Sequence, residues 1–86
     1  MIPKIIGVEA IENYKIKLTY ETGENKLFDV LPYITGAWYK ELKNDKYFKT
    51  IHIIFNGKGI EWEHGQDIAP HELYDMSIPI NEINKK

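Results

Sequence analysis

The run WEHGQDIAPHELY, positions 62–74, holds an indole, two imidazoles, three carboxylates and a phenol, the densest group of reactive side chains in the chain. His64, Asp67 and His71, with Glu61 or Glu63 as a fourth ligand, offer the imidazole nitrogens and carboxylate oxygens that zinc and iron accept. Their spacing matches no established metal pattern, so a metal-dependent enzyme stands only as the alternative reading and no cofactor is expected. Glu61 and Glu63 would share one strand face about 7 Å apart at the backbone, as acid and base groups sometimes do. Nothing in the pattern buries them, however, and an exposed carboxylate has no perturbed acidity to use. Ser77, the sole serine, trails a helix without the glycine elbow of a nucleophile. No residue is assigned a catalytic role, and the expectation is a protein that is not an enzyme.

A second group invites contact chemistry instead. Tyr33, Trp38, Tyr39 and Tyr47 crowd the least regular part of the chain. A small domain hides two or three such rings. Left partly exposed together, they form a protein-contact patch, because each joins a large apolar area to a polar tip. These four are the candidate interface residues. Trp62 and Tyr74 read as core, since a short chain needs large aromatics to supply buried area. Asp29 is expected to bond backbone amides of the turn near Pro32, with a binding edge shared with Asp67 as its sharper role.

Composition narrows the field. At 86 residues the chain makes one domain, because a chain of this size buries only about 60–65% of its unfolded surface. With 43% apolar and 28% charged residues it is globular in character, not disordered. The absence of cysteine excludes disulfides, thiolate catalysis and iron–sulfur ligation, and fits a cytoplasmic protein. Pro3, Lys4 and Glu9 interrupt the apolar start, and no cleavage site or long apolar run follows, so neither a signal nor a membrane span is expected. The net charge is −2 and all 11 cations are lysines. Without arginine, forked recognition of phosphate or guanine lacks its usual tool. Lys40, Lys43, Lys46 and Lys49 recur every three residues, but Glu41 and Asp45 interleave them, as on a solvated face. Direct nucleic-acid binding is therefore not the expectation, and a weak nucleic-acid binder acting through this lysine stripe stands as a second alternative.

The elements that would position these groups follow from periodicity. YKIKLTY alternates, turning Tyr14, Ile16, Leu18 and Tyr20 to one face. Before it, Ile6, Val8 and Ala10 line an antiparallel neighbour. After a turn at Gly23, Phe28 and Val30 point inward from a third strand. From residue 31 to residue 49 the alternation stops, and Pro32 and Gly36 bracket short helical turns in which Trp38, Tyr39 and Leu42 are the expected burying groups. Asn44 or Asp45 can cap a further turn, with Tyr47 and Phe48 covering the sheet. Asn56-Gly57 predicts a tight hairpin between strands at about 50–55 and 59–63, with Ile51, Ile53, Phe55, Ile60 and Trp62 inward. Pro70 opens a short helix, PHELYDMS, with Leu73 and Met76 on one face, and Pro79 ends it. The expected fold is α+β: a three-stranded meander plus a hairpin, mostly antiparallel, with short helices in the middle and at the C-terminus. One domain spans residues 1–78, and residues 79–86 form a frayed tail.

The meander ending in LFDVLPY, the FNGKGIEW hairpin and the closing W-x-x-G-x-D-I-x-P-x-x-L-Y resemble, in order and spacing, the small bacterial family called domain of unknown function 2442. By that resemblance Phe28, Asp29, Trp62, Gly65, Asp67, Pro70, Leu73 and Tyr74 take the positions of the family's motif. Ala69 stands where many members carry a capping side chain, which leaves Asp67 as the expected local acceptor. The resemblance implies an α+β domain of antiparallel strands. Some members are fused to a helix-turn-helix, which is not expected here because too few residues follow Met76. Others are encoded beside a second small protein, similar to a toxin and antitoxin pair. The partner so implied is another small protein, with a homodimer as a further option.

Overall fold

The structure is a computed structural model that describes residues 2–80. It is α+β. Strands β1 (Ile5–Ile11), β2 (Lys15–Tyr20) and β3 (Asn25–Asp29) form an antiparallel meander. Three short helices follow in the order α1 (Gly36–Lys40), α2 (Asp45–Phe48) and, near the C-terminus, α3 (Pro70–Asp75). Between the last two, β4 (His52–Ile54) and β5 (Gly59–Glu61) pair as a separate hairpin. The meander's inward set Ile16, Leu18, Tyr20, Phe28 and Val30 meets Leu42, Phe48, Ile60, Trp62, Ile68 and Leu73 in one core. Residues two apart on a strand share a face, so alternation alone produces the sheet's half of that core.

Several details differ from the expectation, each for a local reason. Ile6 is 63% exposed, and Ile5 is buried in its place. Pairing runs from Ile5↔Tyr20 to Gly7↔Thr19, so Ile6 is the extra residue of a β-bulge that switches the strand's parity. Tyr14 is not in β2 but in the preceding turn, where Asn13 and Tyr14 have φ of 64° and 59°. Its ring still packs edge-on against Phe48, 5.7 Å between centroids, and its hydroxyl donates to Lys43 O at 3.0 Å.

The second hairpin is shorter than expected. Ile54↔Gly59 is its last pair, and Phe55, Asn56 and Gly57 all take positive φ. The left-handed turn ejects Phe55, which is 77% exposed instead of inward. A Cβ on Gly57 would lie 2.8 Å from Ile5 O, so the turn's glycine is also what lets this hairpin seat against β1.

At the C-terminal end α3 stops at Asp75, and Met76 is exposed while Leu73 is buried. Beyond it, β6 (Ile78–Pro79) pairs with β3 through Lys26↔Pro79 and Leu27↔Ile78. Pro79 thus sits on a sheet edge, where its missing N–H costs no ladder bond. The rest of the expected tail, residues 81–86, lies outside the described residues. Among the described residues no helix is long and apolar enough to cross a membrane.

Candidate protein-contact site

The opening motif and the central aromatics come together. After β5, Trp62 N donates to Gln66 O at 2.9 Å and Gly65 N to Trp62 O at 2.8 Å, folding residues 62–66 into a tight loop whose Gly65 has φ of 101°. Glu61 bridges to Asp67 across its base. The Trp62 indole is fully buried and donates to Phe48 O at 2.9 Å, so it anchors the loop to the end of α2. Tyr74 is half-buried and stacks edge-on with Tyr20 at 5.0 Å.

Gln66 is the hub. Its side chain is completely buried, and its amide donates to Trp38 O at 2.8 Å and Glu41 Oε1 at 2.9 Å. Its Oε1 accepts the Tyr47 hydroxyl at 2.5 Å. That hydroxyl in turn accepts from His64 N at 2.7 Å, and the Tyr39 hydroxyl donates to Asp67 O at 2.9 Å. One buried amide therefore ties α1, the 3-10 turn Glu41–Lys43, α2 and the 62–66 loop into a unit. The local chain supports this: Asn44 breaks the helical run with extended backbone, and its Oδ1 accepts from Tyr47 N at 3.0 Å to start α2. The same break divides the lysines, with Lys40 in α1 and Lys43 in the 3-10 turn before it, Lys46 in α2 and Lys49 just past α2 after it, so they share no single helix.

On the outer side of this unit, His64 Nδ1 lies 2.7 Å from Glu41 Oε2. A carboxylate only accepts, so the ring proton sits on Nδ1. The bond from His64, with Gln66's second, holds the Glu41 carboxyl below its usual range, and Glu41's bond raises the His64 imidazole. Such an imidazole could take a proton at Nε2, which has no hydrogen-bond partner among the described residues. The pair His52–Glu61, 3.1 Å apart, is a separate cross-strand contact on the hairpin.

The candidate residues divide clearly. Trp38 was expected to be buried but is 52% exposed, and it covers the loop's glycine: a Cβ on Gly65 would meet Trp38 Cζ2 at 3.9 Å. Tyr39 and Tyr47 are half-buried, with hydroxyls spent on the loop as above. Tyr33 belongs elsewhere, tilted against Phe28 at 5.4 Å, with its phenol pushed up by burial and then by Glu72. Asp29 is exposed and its Oδ1 accepts from Leu31 N at 3.1 Å, starting the 3-10 turn that holds Pro32. Asp67 does not cap α3; the cap residue Ala69 has no side-chain bond, and Pro70 alone marks the start. His64, Asp67 and His71 do not converge, since among the described residues no three histidine, cysteine, aspartate or glutamate side chains are placed to hold a metal ion. Sequence reasoning missed Gln66 and Glu41, the groups that organise the site. It also missed Lys26, buried at the inward parity of Phe28, whose Nζ donates to Tyr74 O at 2.7 Å and lies 3.8 Å from that ring's centroid.

The family model described as protein of unknown function (DUF2442) matches residues 5–79. No curated protein and no solved structure matches the chain.

Proposed function

This chain belongs to the DUF2442 family, and we propose that it is a non-enzymatic contact domain whose partner is another small protein, one encoded beside it as in an antitoxin-like pair. The observation that carries the reading is Trp38: a half-exposed indole held on an ordered platform instead of a free loop. Its backbone carbonyl is bonded by a buried side chain and one edge of its ring lies near Gly65, which limits the backbone freedom left to lose on binding. Tryptophan is among the residues enriched at the energetic centres of protein interfaces, and the Glu41–His64 pair, facing water, supplies a polar rim beside it. A cysteine-free chain of this kind suits the bacterial cytoplasm.

The test is capture of the tagged chain from nuclease-treated host lysate, beside Trp38→Ala, with the bound protein identified by mass spectrometry and the complex sized. A single small protein in stoichiometric amount, lost in Trp38→Ala while the near-ultraviolet signal of buried Trp62 persists, is the expected result. The same complex should protect Trp38 from acrylamide quenching. Capture indifferent to Trp38→Ala would overturn the reading, and a dimer of the chain alone would replace the small partner with a second copy.

A further inference from the structure

Away from Trp38, a cleft of about 460 Å³ opens where the N-terminal segment, the second hairpin's turn and the start of α3 meet. Ile2, Pro3 and Pro70 give it accessible hydrocarbon surface, and the buried Ile5 and Tyr20 lie beneath. The volume falls in the range of small-molecule sites, which are mostly apolar with a few polar groups that fix orientation. Gly57 forms one side because its turn seats directly on β1, and the exposed Lys4 and Lys58 complete the lining.

The charges are uneven. Glu21 is the one carboxylate of the lining, and its Oε2 already accepts Lys4 N at 3.0 Å while Glu21 N donates to Lys4 O at 2.8 Å. Both lysines are exposed, and among the described residues neither makes an ion pair. An apolar cleft whose lining carries two lysines and one carboxylate has a net positive charge of one, which complements a molecule with an apolar body and a single negative head. We propose that this cleft binds a free straight-chain monocarboxylate, with the chain against Ile2, Pro3 and Pro70 and the carboxylate toward Lys4 and Lys58.

The probe is decanoate, followed by amide chemical shifts of the full chain, with decylamine as the same chain bearing the opposite charge. Saturable shifts confined to the amides of Lys4, Ile5, Glu21, Gly57 and Lys58 are expected, with decylamine weaker by about tenfold. Lys58→Glu, at an exposed position, should weaken decanoate by a similar factor of about ten with the dispersion of the spectrum intact. Trp38→Ala should leave decanoate binding unchanged, which separates this site from the contact face. Absence of saturation at millimolar decanoate, shifts centred elsewhere, equal affinity for decylamine, or indifference to Lys58→Glu would each overturn the proposal.

Discussion

The meander and the 36–67 region share one core but are specified differently. In the meander, burial alternates residue by residue, and the inward side chains Ile16, Leu18 and Phe28 need only to be apolar and of the right size. In the 36–67 region the helices are of four or five residues, too short to be stable by themselves, and their placement depends on hydrogen bonds that converge on Gln66. Apolar pattern can place a strand, whereas a short helix needs a directional partner. The consequence is that one region should respond to substitution by volume and the other by donor and acceptor count.

The largest effect is expected where both logics meet. Trp62 fills the core and its indole N–H serves Phe48 O. Trp62→Ala should cost about 3–5 kcal/mol, a large part of the roughly 5–10 kcal/mol such a domain has. Trp62→Phe retains most of the volume but orphans Phe48 O, so it should cost less than Trp62→Ala and more than Leu18→Met, a swap without a polar group. Urea midpoints of the three variants rank them. Equal losses for Trp62→Phe and Leu18→Met would mean that the indole bond carries no weight and the two regions follow one rule.

Next is Gln66→Ala. It removes one short side chain but leaves the Tyr47 hydroxyl, Trp38 O and Glu41 Oε1 each short of a partner. A loss of about 1–3 kcal/mol is expected, more than its modest apolar contribution explains. Hydrogen exchange should localise the damage: amides in α1 and α2 lose protection, while those pairing β2 with β3 keep it. Uniform loss across both regions would show that the hub is not a local device.

The same division explains how much was legible in the sequence. Alternation reveals the three strands of the meander, and Asn56-Gly57 with Pro70 marks the later turns. Alternation could also have found Lys26, which shares parity with Phe28, had its charge not argued for solvent. The bulge at Ile6 was not legible, because an extra residue inverts parity without any change in composition. The site was half legible: Trp38, Tyr39 and Tyr47 stood out as aromatics and Trp62, Gly65 and Asp67 as motif positions. Their union through Gln66 could not be read, since one polar residue in a polar loop carries no periodic signal.

Tyr20 tests the meander from within. Its ring belongs to the core, but its hydroxyl is buried and has no hydrogen-bond partner among the described residues. Burial first, then the neighbouring Tyr74, Glu24 and Asp75, pushes its phenol up to about 12. An unpaired buried hydroxyl is costly, so Tyr20→Phe should stabilise the domain by about 1 kcal/mol, the reverse of the sign expected for Tyr47→Phe. Tyr47's hydroxyl has two partners to lose, Gln66 Oε1 and His64 N. Thermal midpoints that fall in both variants would remove the contrast between a region built on volume and one built on bonds.

The smallest effect concerns charge on the outer side of the hub. His64's imidazole is raised above its ordinary 6.5, first by the bond to Glu41, so its contribution is complete below about pH 6.5 and is lost as pH rises through the folded value. Glu41 is lowered from 4.5, first by His64 and then by Gln66, so its contribution is present above that value and lost as pH falls through the folded one. The pair is strongest between those limits, and salt should weaken it because both groups face water. His52, raised first by Thr50 O and then by Glu61, adds a slope of the same sign on the alkaline side. Urea midpoints of the native chain and His64→Ala, followed upward from about pH 6, separate the two histidines. The native chain should lose more stability than the variant over that range, and the difference should shrink at high salt. Parallel slopes would mean that the neutral bonds of Gln66, and not the Glu41–His64 charge pair, hold the loop beneath Trp38.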